Sequence, residues 1–203
     1  MYNNMENYDF IKKGNWVTYC FISLIISFAS TPVHEAGHVI ANWLSGVPAG
    51  MSYAREYTLD GSVETVIGTL GGPIFTVLLA YAAIFFIFRR KKPMFVYPFA
   101  VIMCMDRIYT YFRVFLSDIK GFIGCMGLPG FDERIASEIL NINLYTFFIA
   151  FQGLEAIGII LIILSLSHVL KKNLFIVLVP VMAIAPMKYI GFYVVEKNLF
   201  PEQ

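Results

Sequence analysis

The chain has 203 residues, of which 58% are hydrophobic and 14% charged, and its mean hydropathy is +0.69. Soluble domains carry about 25% charged residues, so this composition points away from an ordinary soluble globular domain. A net charge of +1, without a basic tail or an RNA-binding aromatic pattern, gives no reason to expect a nucleic-acid partner.

In chain order, residues 1–14 are polar and are expected at a membrane surface. Trp16 to Val33 is free of charge, and the apolar run continues through two histidines to Leu44, forming a first span. A membrane-crossing helix needs about 20 residues at 1.5 Å each. Lys12 and Lys13 before this run, with Ser27-Phe28-Ala29, also loosely fit a cleavable signal peptide. The continuation to Leu44 favours a retained helix. Residues 45–62 hold Gly46, Pro48, Gly50, Asp60 and Gly61 and read as a loop or short hairpin.

A second span is expected over 63–88 and is closed by Arg89-Arg90-Lys91-Lys92-Pro93. A third, 94–116, carries Asp106, Arg107 and Arg113. The glycines and proline of 117–141 suit a re-entrant or irregular segment. A fourth span, 142–170, is interrupted by Glu155, and a fifth, 174–195, by Pro180, Pro186 and Lys188. Cys20, Cys104 and Cys125 are odd in number and widely spaced, so they read as apolar fillers rather than a disulfide frame. In a five-span arrangement Lys12, Lys13, Arg89 to Lys92, Lys171 and Lys172 share one side, and Arg55, Lys120, Arg134 and Lys197 the other. The positive-inside rule then places the N-terminus in the cytoplasm.

The chemistry concentrates in His34-Glu35-Ala36-Gly37-His38, a His-Glu-x-x-His pattern. Positions i and i+4 share one helix face, so both imidazoles can reach one Zn²⁺. Glu35 lies off that face and is placed to act as general base on a water at the metal. The bland reading is three polar side chains lining a helix contact. It is disfavoured because ionisable groups within a membrane are costly and usually functional. Pro32 precedes the motif and should loosen the helix, freeing a carbonyl near Phe28. Gly68 and Gly72 form a GxxxG pair, read first as close helix packing.

These features resemble the site-2-protease family of intramembrane metallopeptidases. The resemblance rests on His34-Glu35-x-Gly37-His38 at the end of an apolar run, followed by a second apolar span with Gly71-Gly72-Pro73. It covers roughly residues 17–140. Where the family carries an asparagine three residues after that proline, this chain has Thr76. The family's aspartate ligand finds its nearest match at Asp132, in Leu128-Pro129-Gly130-Phe131-Asp132, with Glu133 where the family has glycine. Asp118, Asp106, Glu155 and Glu64 are the other third-ligand candidates. Asp106 and Glu155 have ion pairing as their plainer explanation, with Arg107, Arg113 or Lys188 as partners. His168, beside Lys171 and Lys172, reads as an interfacial residue. The resemblance implies a motif facing the cytoplasm, whereas the charge distribution puts it outside; sidedness stays open at this point.

The expectation is therefore an all-α, polytopic transmembrane bundle of about five spans in one integral membrane domain over 1–203, with the metal-site core at about 17–140 and C-terminal helices at about 142–195. The resemblance implies a zinc metallopeptidase of a cell membrane: His34, His38 and Asp132 hold one Zn²⁺, and Glu35 is catalytic. Its partners would be the lipid bilayer and a membrane protein or peptide substrate, which by the same analogy could pair with the 45–62 segment as an added strand. The alternatives are a non-catalytic metal-binding membrane protein (a regulator, transport component or inactive relative) and a membrane zincin with a Glu third ligand.

Overall fold

The computed structural model describes residues 15–61, 65–89, 94–105, 132–166 and 170–200. The described residues are mostly helical. Helix α1 is Asn15–Leu44, followed by strands β1, Ala49–Met51, and β2, Glu56–Thr58. Then come α2, Val66–Phe88, α3, Val96–Met105, α4, Asp132–Leu140, and α5, Leu144–Ser165. Helix α6, Leu170–Ile190, runs on through a π-helical turn, Gly191–Glu196, into Lys197–Leu199. Three stretches, Asn15–Leu44, Val66–Phe88 and Ile176–Leu199, are long and apolar enough to cross a membrane. Val96–Met105 and Ile149–Ser165 are shorter apolar helices. These features fit a multi-pass membrane protein. Residues 106–131, with Asp106, Asp118 and most of the expected irregular segment, lie outside the described residues, as do Glu64 and His168.

The polarity of α1 is inverted relative to a soluble helix. Tyr19, Ser23, Ser27, Ser30, Thr31, His34, His38 and Asn42 are buried, whereas Trp16, Phe21, Ile25, Ile40 and Trp43 face outward. Helix α2 follows the same rule: Gly68, Thr69, Gly71, Gly72, Thr76 and Ala80 point in, and Ile67, Ile74, Leu78 and Phe85 point out. Where lipid is the solvent, small and polar residues make the helix contacts and bulky apolar ones face the tails. At the centre lies α3, whose residues Tyr97, Ala100, Val101 and Ile102 are wholly buried. Tyr97, Ala100 and Val101 pack with Tyr19, Ile84, Ile162 and Ile176 from four other helices.

Helix boundaries follow from local chemistry. Helix α1 stops at Gly46, whose positive φ of 80° permits a closing turn in which Val47 N–H bonds Asn42 O at 2.9 Å and Gly46 N–H bonds Trp43 O at 3.0 Å. Thr65 caps α2 by accepting from Gly68 N–H at 3.0 Å. The 45–62 segment contains an antiparallel hairpin with Ala49 opposite Thr58 and Met51 opposite Glu56. One expectation needs correction: within 117–141, residues Asp132–Leu140 are a regular helix rather than an irregular stretch. Its first turn carries Asp132 and Glu133, favourable at the positive end of the helix dipole, and its buried residues Glu133, Ala136 and Ser137 recur at helical spacing. The Gly/Pro-rich run that suggested irregularity ends at Gly130, before this helix begins.

Two of the intrahelical prolines, Pro32 and Pro180, are accommodated by tyrosines. Pro32 lacks an N–H, so Phe28 O loses its intrahelical donor. Tyr53, in the hairpin turn, donates its hydroxyl to that carbonyl at 2.7 Å and packs on the Phe28 ring at 5.0 Å. Pro180 likewise releases Ile176 O, and Tyr19 donates to it at 2.7 Å. The turn is also held by the C-terminal segment: Ser52 Oγ donates to Glu196 Oε1 at 2.8 Å and Ala54 N–H donates to Glu196 Oε2 at 3.1 Å. Gly191 lies directly against the Tyr53 ring, so an added Cβ would overlap it. Tyr53→Phe should lower thermal stability in detergent, by about 0.5–1.5 kcal/mol on the scale of membrane hydrogen bonds. In a Pro32→Ala background, where the restored backbone N–H at position 32 can reach Phe28 O, the same change should cost markedly less. Equal losses in both backgrounds would show that the tyrosine does not answer the proline.

Candidate metal centre

The site forms where α1 and α2 pack antiparallel with almost no separation. His34, His38 and Asn42 run along one face of α1 at i, i+4, i+8, and Thr76, Gly72 and Gly68 run opposite them in reverse order. An added Cβ at Gly72 would overlap His38 Nε2 and approach His34 Nε2 to 2.7 Å. At Gly68 it would collide with the Asn42 side chain, and at Gly37 it would lie 2.7 Å from Gly71 O. The GxxxG pair therefore does more than pack two helices, because Gly72 vacates the volume that both imidazoles occupy.

Each imidazole is fixed from behind. His38 Nδ1 lies 2.8 Å from Gly68 O, which can only accept, so Nδ1 carries the hydrogen. Thr76 Oγ1 donates its own hydrogen to Gly72 O at 2.9 Å and accepts from His34 Nδ1 at 3.1 Å. Both Nε2 atoms are thereby left with lone pairs, and both point the same way. They lie 3.2 Å apart, with the rings nearly perpendicular at 82°.

Asp132, the first residue of α4, completes the cluster from 98 positions away in sequence. Its Oδ2 lies 3.2 Å from His34 Nε2 and 3.6 Å from His38 Nε2. Two nitrogen lone pairs and a carboxylate oxygen, all acceptors, thus converge in a largely buried place, with His34 8% and His38 3% exposed. Acceptors facing acceptors need a positive charge between them. A single added proton can bridge one pair, whereas a metal ion serves all three donor atoms together. Their spacing also suits an ion: ligands about 2.0–2.2 Å from a tetrahedral zinc stand about 3.3–3.6 Å from one another. The buried His34, His38 and Asp132 group can hold a metal ion.

Glu35 follows His34 on α1, is half-buried, and stands outside this set of donor atoms. It is near enough to the His38 ring to act on it electrostatically. Glu155, another third-ligand candidate, is buried on α5, where Gln152 Nε2 donates to it at 3.2 Å, and it is not in the group. Beyond the ligands, Asn42 continues the α1 face: its Nδ2 donates to Glu56 Oε2 on β2 at 2.7 Å, tying the hairpin to the helix one turn past His38. The contributions of the Gly68 carbonyl and of Gly72 to orienting the histidines were not read from the sequence. The available signal was the i, i+4, i+8 recurrence of Gly68, Gly72 and Thr76, matching that of His34, His38 and Asn42.

Compared with models of known protein families, with curated proteins and with solved structures, the chain matches none. The chemistry of the site therefore rests on its own geometry.

Two substitutions test that geometry through metal content alone. Asp132→Ala should lose the ion from detergent-purified protein, measured by elemental analysis; unchanged metal would remove Asp132 from the ligand set. Gly72→Ala should also abolish stoichiometric metal, because its methyl group overlaps the nitrogens that must converge. Full occupancy in that variant would show that α1 and α2 separate freely.

Proposed function

We propose that this protein is an intramembrane zinc metallopeptidase, hydrolysing peptide bonds of a membrane-associated protein or peptide. The observation that carries the reading is the convergence of His34 Nε2 and His38 Nε2, on a helix long and apolar enough to cross a bilayer, with Asp132 Oδ2 from the short polar helix α4, and with Glu35 next to His34 on the same helix. Three donor atoms of two types leave a fourth tetrahedral position open, the pattern of catalytic rather than structural zinc. A zinc ion there supplies Lewis acidity, acidifying a water and polarising the scissile carbonyl.

The chain's own residues do the rest. Helical geometry turns Glu35 about 100° away from His34, which keeps it out of the donor set and leaves it free to handle protons. In this role its carboxylate takes a proton from the attacking water and delivers it to the leaving amine. The hairpin β1–β2, joined to α1 by Glu56 and Asn42, is the proposed place where an extended substrate segment pairs as a further strand. The full reading includes five spans, with α3 and α5 belonging to the third and fourth, and residence in a cell membrane.

Glu35→Gln is the deciding variant. It should retain zinc at the wild-type stoichiometry and lose about 10²–10⁴-fold in cleavage of fluorogenic peptides that carry a membrane-spanning segment. Retained cleavage would remove Glu35 from the mechanism. Zinc binding by the wild-type protein with no cleavage of any such peptide would favour a non-catalytic metal-binding role.

A further inference from the structure

The two histidines are held by different kinds of group. His38 is oriented by a backbone carbonyl, Gly68 O, which exists whatever the side chain. His34 is oriented at Nδ1 by a side chain, the Thr76 hydroxyl. That hydroxyl has one hydrogen, and Gly72 O takes it at 2.9 Å. Toward His34 it therefore presents only a lone pair, which selects the tautomer with hydrogen on Nδ1.

The other tautomer has a ready partner. With its hydrogen on Nε2, His34 would donate to Asp132 Oδ2, 3.2 Å away, and satisfy the carboxylate without any ion. That state closes the centre, because one ligand nitrogen then has no lone pair and one ligand oxygen is occupied. Both groups are buried, Thr76 at 2% and His34 at 8% exposed, so water is poorly placed to substitute for the lost hydroxyl. We propose that Thr76 is a positioning residue that holds His34 in its metal-ready tautomer and thereby sets the affinity of the His34, His38 and Asp132 group for a divalent ion. The inference rests on the metal-binding reading of that group and is independent of whether the protein cleaves peptides.

The test uses full-length protein in detergent, with zinc affinity measured by competition with a chromophoric chelator and ligand geometry by the visible spectrum of the Co²⁺-loaded form. Thr76→Val keeps the shape and removes the hydroxyl. It should weaken zinc binding about 10–100-fold, as loss of groups that orient metal-bound histidines does elsewhere, and should change the Co²⁺ spectrum. Thr76→Ser should restore most of the affinity and the wild-type spectrum. Thr69→Val removes another buried α2 hydroxyl, one without a hydrogen-bond partner among the described residues, and should leave both readouts unchanged. If Thr76→Val does not fold, Thr76→Ala takes its place with the same expectation. Wild-type affinity and spectrum without the Thr76 hydroxyl would overturn the proposal, as would equal weakening by the Thr69 and Thr76 variants. Failure of the wild-type protein to bind either ion would overturn the metal reading together with it, a result distinct from both.

Discussion

The close antiparallel approach of α1 and α2 is the constraint from which the centre follows. It is set by glycines, so that backbone meets backbone where Gly37 faces Gly71, and backbone meets side chain where Gly72 faces the histidines. At that range α2 is itself a hydrogen-bonding surface. Gly68 O and Thr76 Oγ1 take the Nδ1 hydrogens, and the Nε2 lone pairs have nowhere to point but toward each other and Asp132. With a wider spacing the imidazoles could rotate, choose tautomers freely and satisfy themselves. Packing distance, tautomer and metal readiness are one property described at three levels.

The same logic of satisfied backbone governs the outer structure. Within lipid a carbonyl without a donor is expensive, so an intrahelical proline needs a substitute. This chain supplies one from a tyrosine on another element at Phe28 O and at Ile176 O. Each substitute joins two elements: Tyr19 ties α1 to α6, and Tyr53 ties the hairpin turn to α1. Glu196 adds a third link, between the π-helical turn and the hairpin. Helix, hairpin and C-terminal segment are thus joined by polar contacts at defined points.

Much of this was legible in the sequence, for physical reasons. The helices over 15–44 and 66–88 were visible because an apolar run of that length has few other fates, and the hairpin because Gly and Pro cluster between them. Pro32 pointed to a freed carbonyl at Phe28, although not to the tyrosine that takes it up. The metal face of α1 was legible because helical periodicity is local: His34 and His38 must share a side whatever surrounds them. Helix α4 was obscured by the Gly/Pro run next to it, whose composition dominated the wider window. The roles of Gly68, Gly72 and Thr76 were obscured for a deeper reason. A carbonyl is present at every residue, and only the tertiary approach decides which one faces an imidazole.

Asp132 shows how local and distant information combine in the centre. His34 and His38 are brought together by secondary structure alone, so any helix of this sequence would present them as a pair. A pair is not the full group, since two neutral imidazoles offer a metal ion neither a negative charge nor a third donor atom. Both come from the first residue of α4, whose place depends on the packing of α4 against the rest of the fold. An ion bound there would bridge α1 to α4 across 98 positions and would be held only by the folded arrangement. Metal affinity and tertiary stability are then linked quantities, because whatever loosens α4 from α2 also withdraws the carboxylate. The pattern on α1 alone is for that reason an incomplete guide to a metal centre. What completes it is the fixed position of an acidic side chain at the start of a short helix far along the chain.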